Sequence, residues 1–162
     1  MNRKVLIGIG LLAGVAQAVG GVVMYLAGFY FAPWSMLLSV FLLLLCIVVG
    51  TRWYRDHYLN GEISYWQAVG VGIVISVCTG LVYASYNLVS IAWFYPNFLD
   101  EVVRARMAVQ QLGAESFATM RAEVSALGIA IPNLIRLSVM GSVISLVSSL
   151  FLRRQRAVGG GQ

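Results

Sequence analysis

Over most of this chain the hydrophobic positions are continuous rather than periodic. Four runs stand out: Val5 to Phe31, Trp34 to Gly50, Gln67 to Phe94 and Asn133 to Leu152. The first has Gln17 as its one strongly polar side chain, and the second is centred on Phe41 to Val49. The third is interspersed with Ser, Thr, Tyr and Asn, and the fourth carries one charge, Arg136. A helix needs roughly 17–25 apolar residues to cross a bilayer, and each run meets that need. None alternates as a membrane β-strand does. The pattern predicts an all-α integral membrane protein: one domain over 1–162 with four transmembrane helices.

Between the third and fourth runs the pattern changes. Leu99, Val102, Val103, Val109 and Leu112 form an apolar stripe that Gly113 ends. Phe117, Met120, Val124 and Leu127 then recur at helical steps. Asn97 and Asp100 have the spacing of a capping box, Asp100 and Arg104 that of an i,i+4 ion pair, and Glu115 opens a second helix. The segment 97–128 is therefore expected to be an amphipathic helical hairpin. Its stripes can bury against each other or remain available to the membrane surface or a partner. A connection this long is more often functional than accidental, so Phe117, Met120, Val124 and Leu127 are candidates for a partner surface.

Composition agrees with the pattern. The chain is 60% hydrophobic and 10% charged, with mean hydropathy +0.84; a soluble domain averages about 25% charged residues. A water-soluble globule is excluded. Arg3 and Lys4 precede the first run, Arg52 and Arg55 follow the second, and Arg153, Arg154 and Arg156 follow the last. In 95–132, Arg104, Arg106 and Arg121 face Asp100, Glu101, Glu115 and Glu123. Basic residues are retained in the cytoplasm. Both termini and the 51–66 turn are thus expected inside a bacterial inner membrane, with 97–128 outside. The pI near 9.6 is then a topology signal rather than a nucleic-acid footprint. Asn2-Arg3-Lys4, Val5–Val15 and Ala16-Gln17-Ala18 imitate a cleavable signal peptide. Cleavage would leave Val19–Phe31 apolar and too short to span, so an uncleaved helix is expected.

The polar stretch Arg55 to Gly72 reads as a turn. Asn60-Gly61 ends one helix, and Ser64 with Gln67 makes a capping box for the next. Lone His57 has no neighbouring ligand or nucleophile, and Arg55 and Asp56 are expected in water. Trp53, Tyr54, Tyr58, Tyr65 and Trp66 form an inner aromatic belt. Phe29, Tyr30, Phe31, Trp34, Trp93, Phe94 and Tyr95 form an outer one. Trp66 and Trp93 are separated by about 40 Å of helix at ~1.5 Å per residue, close to the roughly 40–45 Å of a whole bilayer.

Gly61-Glu-Ile-Ser-Tyr-Trp-Gln-Ala68 with Gly70 and Gly72, then YNLVSIAWFYPNFLDEV through Pro96, and the Pro132 entry to a Ser-rich final span resemble one family. That family is the small membrane proteins called domain of unknown function 4199. The resemblance covers most of the chain from Arg52 onward, while residues 1–50 share only apolar character and glycines. It implies four helices, no assigned activity and no catalytic residue to transfer.

Small and polar side chains mark the spans. Gly72, Ser76, Thr79, Gly80, Tyr83 and Asn87 share one face of the third span, and Ser138, Gly141, Ser142, Ser145 and Ser149 one face of the fourth. In lipid such faces let backbones approach and hydroxyls bond across the contact. A polar pathway is the alternative, and packing is preferred because no acid or base lies deep in these stripes. Gly10 to Gly14, and the heptad Gly14, Gly21 and Gly28, point to similar close contact in the first span. Arg136 lies four residues past Pro132, read as a first helical residue. It is expected to snorkel to the outer interface or to pair with an acid such as Glu123. Cys46 and Cys78 read as reduced fillers, and Gly159–Gln162 as a tail. No metal, cofactor or nucleophile motif is present in a supporting context.

The expectation is a non-enzymatic membrane component. Besides the lipid bilayer, it would bind or assemble an unknown membrane or periplasmic protein, or further copies of itself. A small oligomeric transporter or channel is the alternative.

Overall fold

The computed structural model describes residues 2–95, 97–111 and 113–153. Pro96, Leu112, Arg154, Arg156 and the glycine tail lie outside the described residues. The described part is helical: α1 Arg3–Leu26, α2 Ser35–Tyr58, α3 Tyr65–Val89, α4 Phe98–Gln110, α5 Phe117–Glu123 and α6 Ala126–Leu152. α3 continues through a π-helical turn, Ser90–Phe94, and a 3₁₀ turn, Ala114–Ser116, precedes α5. α1, α2, α3 with its π turn, and α6 are long and apolar enough to cross a membrane.

Local chemistry explains the helix ends, and some differ from expectation. α1 stops at Leu26 rather than continuing to Phe31, because Gly28 turns left-handed at φ +74°. The Phe29 N–H donates to the Met24 carbonyl and the Gly28 N–H to that of Tyr25, a Schellman ending. Gly28 is therefore a cap, with open space where a Cβ would stand. α2 runs past its apolar stretch to Tyr58 and ends where Asn60 and Gly61 take positive φ. Ser64 caps α3: its hydroxyl accepts from the Gln67 N–H, and the Gln67 side chain accepts from the Ser64 N–H. α6 begins at Ala126, capped by Ser125, so Pro132 lies inside it rather than at its start.

α3 is central. It packs closely on α6 and α1 and more thinly on α2, while α2 also touches α1 and α6. The N-terminus and the ends of α2 and α6 meet at one end, here called proximal: the Asn2 N–H donates to the Tyr54 hydroxyl at 2.8 Å, and Arg55 Nη1 donates to the Leu152 carbonyl at 3.3 Å. Arg55, expected in water, is mostly buried with its ion pair to Asp56 and holds the carbonyl end of α6. Tyr54 belongs to the core rather than the aromatic belt.

Candidate functional site

Close helix contacts set the register of the bundle. The space where Gly72 would carry a Cβ is filled by Ser145, and that of Gly141 by Ser76. Farther along, a Cβ on Gly80 would stand 3.2 Å from the Ser138 hydroxyl and 3.0 Å from a Leu134 methyl. α3 and α6 are therefore antiparallel, with Gly72 opposite Ser145 and Gly80 between Leu134 and Ser138. Ser145 donates across the seam to the Val69 carbonyl at 3.0 Å, and Tyr65 to that of Leu146 at 3.3 Å. Ser76, Asn87 and Ser142 instead bond their own helices. Of the seam residues, Ser138 and Ser142 are half-buried; Gly72, Ser76, Thr79, Gly80, Tyr83, Asn87, Gly141, Ser145 and Ser149 are buried. On the other side of α3, Gly10 meets Cys78 and Gly14 meets Val82, while the Thr79 hydroxyl donates to the Ile75 carbonyl of its own helix at 2.8 Å with the Gly10 carbonyl at 3.4 Å.

The end away from the termini, here called distal, is capped by aromatics. Phe98, at the start of α4, is buried with ring centroids 5.8 Å from Tyr25, 5.4 Å from Tyr30 and 5.9 Å from Phe31. Tyr25 also lies 4.4 Å from Tyr95, and its hydroxyl donates to Glu101 at 3.3 Å. α4 touches α5, and Arg121 donates to Asp100. Asp100 thus pairs with Arg121 rather than with Arg104. No side-chain cap forms at Asn97, and α4 ends on left-handed Gln111 before Gly113 is reached. Phe117 and Met120 are half-buried, Val124 is buried and Leu127 is exposed.

Beside Tyr30 lies a chamber of about 210 Å³ of mixed polar and apolar lining, formed by Met24, Tyr30, Ser35, Met36, Ser39, Tyr83, Asn133 and Arg136. All four long helices and the α1–α2 loop contribute. Ser35 and Met36 stand beside interfacial Trp34, so the chamber reaches the distal rim. Gln17, buried in α1, donates to the Ser39 carbonyl at 2.9 Å and steadies that wall. Toward the proximal end the core sets fully buried Leu43, Ile47 and Ile75 and buried Leu137 beside buried Thr51, Ser76, Thr79, Ser145 and Ser149.

The α3–α6 register places Arg136 level with Leu81. Trp66 and Trp93, 75% and 82% exposed, mark the two ends of the lipid-facing surface of α3. At ~1.5 Å per residue, Leu81 is roughly 22 Å from the first and 18 Å from the second. Arg136 therefore lies well inside α6, half-buried on the chamber wall, and Glu123 is not its partner. Neither ion pair among the described residues involves it. Tyr30 lines the chamber with it; burial raises the Tyr30 hydroxyl above its ordinary pKa, against the lowering effects of the Tyr83 hydroxyl and Arg136. Tyr30 remains a protonated donor at neutral pH.

The family described as "Protein of unknown function (DUF4199)" matches residues 9–154. The chain belongs to that family. The match takes in most of α1 and all of α2 as well as the chain from Arg52 onward. No curated protein and no solved structure matches the chain. Within this DUF4199 protein, the residue whose placement the sequence concealed is Arg136. Pro132 resembled a helix start, which set Arg136 in a first turn, whereas α6 begins at Ala126. Only the pairing with α3 reveals its neighbours.

Proposed function

We propose that this DUF4199 protein is a non-enzymatic, multi-pass component of a bacterial inner membrane that binds or helps assemble a membrane or periplasmic protein through α4 and α5. The clustering of Arg3, Lys4, Arg52, Arg55 and Arg153 at the proximal end supports cytoplasmic termini and a periplasmic hairpin. One observation carries the partner reading. α4 is held to the bundle by Phe98, yet no residue of α5 is buried, and Val109 is 84% exposed. The segment is positioned, but much of its apolar surface is uncommitted. Replacing Phe117 and Met120 by serine should abolish cross-links to the partner in native membranes while leaving insertion intact. Persistence of those cross-links after 97–128 is exchanged for a short Gly-Ser linker would refute the reading.

The chamber favours a second reading, a small oligomeric transporter or channel. Four helices make a poor pore alone, so conduction would run between copies. Flux in proteoliposomes tests this directly.

A further inference from the structure

We propose that the distal chamber is a binding site for a phosphate-type anion, carried by a phospholipid headgroup or free in solution, with Arg136 as its cation. The site does not depend on α4 and α5 holding a protein partner.

The argument starts from charge. Charges within spanning helices are ordinarily paired or functional. Arg136 has no carboxylate in its chamber. Asp56 is engaged with Arg55, Asp100 with Arg121, and Glu101 with Tyr25. What surrounds Arg136 is a set of neutral hydrogen-bonding groups, the hydroxyls of Tyr30, Tyr83, Ser35 and Ser39 and the Asn133 amide. A wall of donors around a single cation, with no fixed anion, is complementary to a movable one. Water could satisfy the donors, but it would leave the positive charge uncompensated in a medium of low dielectric.

Shape and access narrow the class. Guanidinium presents a planar fork that matches phosphate oxygens in a bidentate manner, and charge-assisted bonds of this kind are the strong ones. The chamber is smaller than the roughly 300–1,000 Å³ of drug-sized pockets, which suits a headgroup rather than a whole amphiphile. Arginine side chains on a helix lean toward its N-terminus, and the N-terminus of α6 is distal, so the guanidinium leans toward the mouth at Ser35. Met24 and Met36 supply an apolar wall on which a glycerol linkage can rest.

The test uses the full chain purified in a neutral detergent. Thermal unfolding is followed with added phosphatidylglycerol, phosphatidylcholine or inorganic phosphate, and native mass spectrometry counts retained lipid. Stabilisation by phosphatidylglycerol but not phosphatidylcholine, with retained lipid, supports the headgroup source; stabilisation by inorganic phosphate alone supports the free anion. In either case Arg136→Gln should weaken binding about tenfold or more, the loss expected for a hydrogen bond to a charged group. Arg136→Lys should recover part of it. Arg52→Gln, exposed at the proximal end, should leave it unchanged. Should Arg136→Gln fail to fold, Tyr30→Phe keeps the charge, removes one donor and should still weaken binding several-fold. No anion-dependent shift, or a shift unaltered in the chamber variants, overturns the proposal.

Discussion

Gly72 and Ser145 share a space that only one of them can fill with a side chain. The mirror arrangement, Gly141 with Ser76, lies about one turn away, so each helix contributes one notch and one peg. Gly72→Ala alone should lower stability by ~1–3 kcal/mol, the usual cost of overpacking. Adding Ser145→Gly should restore most of that, short of the roughly 0.6 kcal/mol typical of a membrane hydroxyl bond, here the one to Val69. Thermal unfolding in detergent measures the cycle, and equal loss in the single and double variants would exclude the contact. The stripe Ser138, Ser142, Ser145 and Ser149 was legible because spacing alone places residues on one face. Which serine crosses the seam was not. Ser145 reaches Val69, whereas Ser142 bonds back to the Ser138 carbonyl, and the difference depends on a register that no single helix encodes.

At the scale of elements, local motifs were readable and tertiary ones were not. Ser64 and Gln67 need only each other, so the cap of α3 followed from the sequence. Gly28 was ambiguous, since a glycine can serve contact or a positive φ, and its place in a heptad pointed to contact. Pro132 was misplaced for a related reason. Proline favours a first turn, but here Ser125 caps α6 upstream and Pro132 sits in the helix interior, where it cannot donate to the Gly128 carbonyl. The docking of α4 was also hidden, because Phe98 meets Tyr25, Tyr30 and Phe31 from a distant stretch of chain. Phe98→Ala should remove an anchor worth about 3 kcal/mol. Hydrogen exchange should then lose protection across Phe98–Gln110 while α1 and α3 keep theirs. Unchanged protection of α4 would show that other contacts suffice to hold it.

For the whole molecule, four apolar runs gave the four long helices at once, since continuous hydrophobicity over a bilayer's thickness has few other uses. Sidedness is the property that charge predicts and geometry cannot. Single cysteines at Asn60 and Gln111, both exposed, in a background lacking Cys46 and Cys78, should separate the two sides. An impermeant thiol reagent should label Gln111→Cys in cells with a permeabilised outer membrane, and Asn60→Cys only after the inner membrane is broken. The reverse order would invert the orientation.

The contact between α3 and α6 has a consequence for the order of assembly. α6 is the last long helix to be made, yet it supplies the Ser145 bond to Val69 and the Leu152 carbonyl that Arg55 holds. Until the final span is in place, α2 and α3 each present a face with nothing to close it, so the bundle is completed from its last helix rather than from its first.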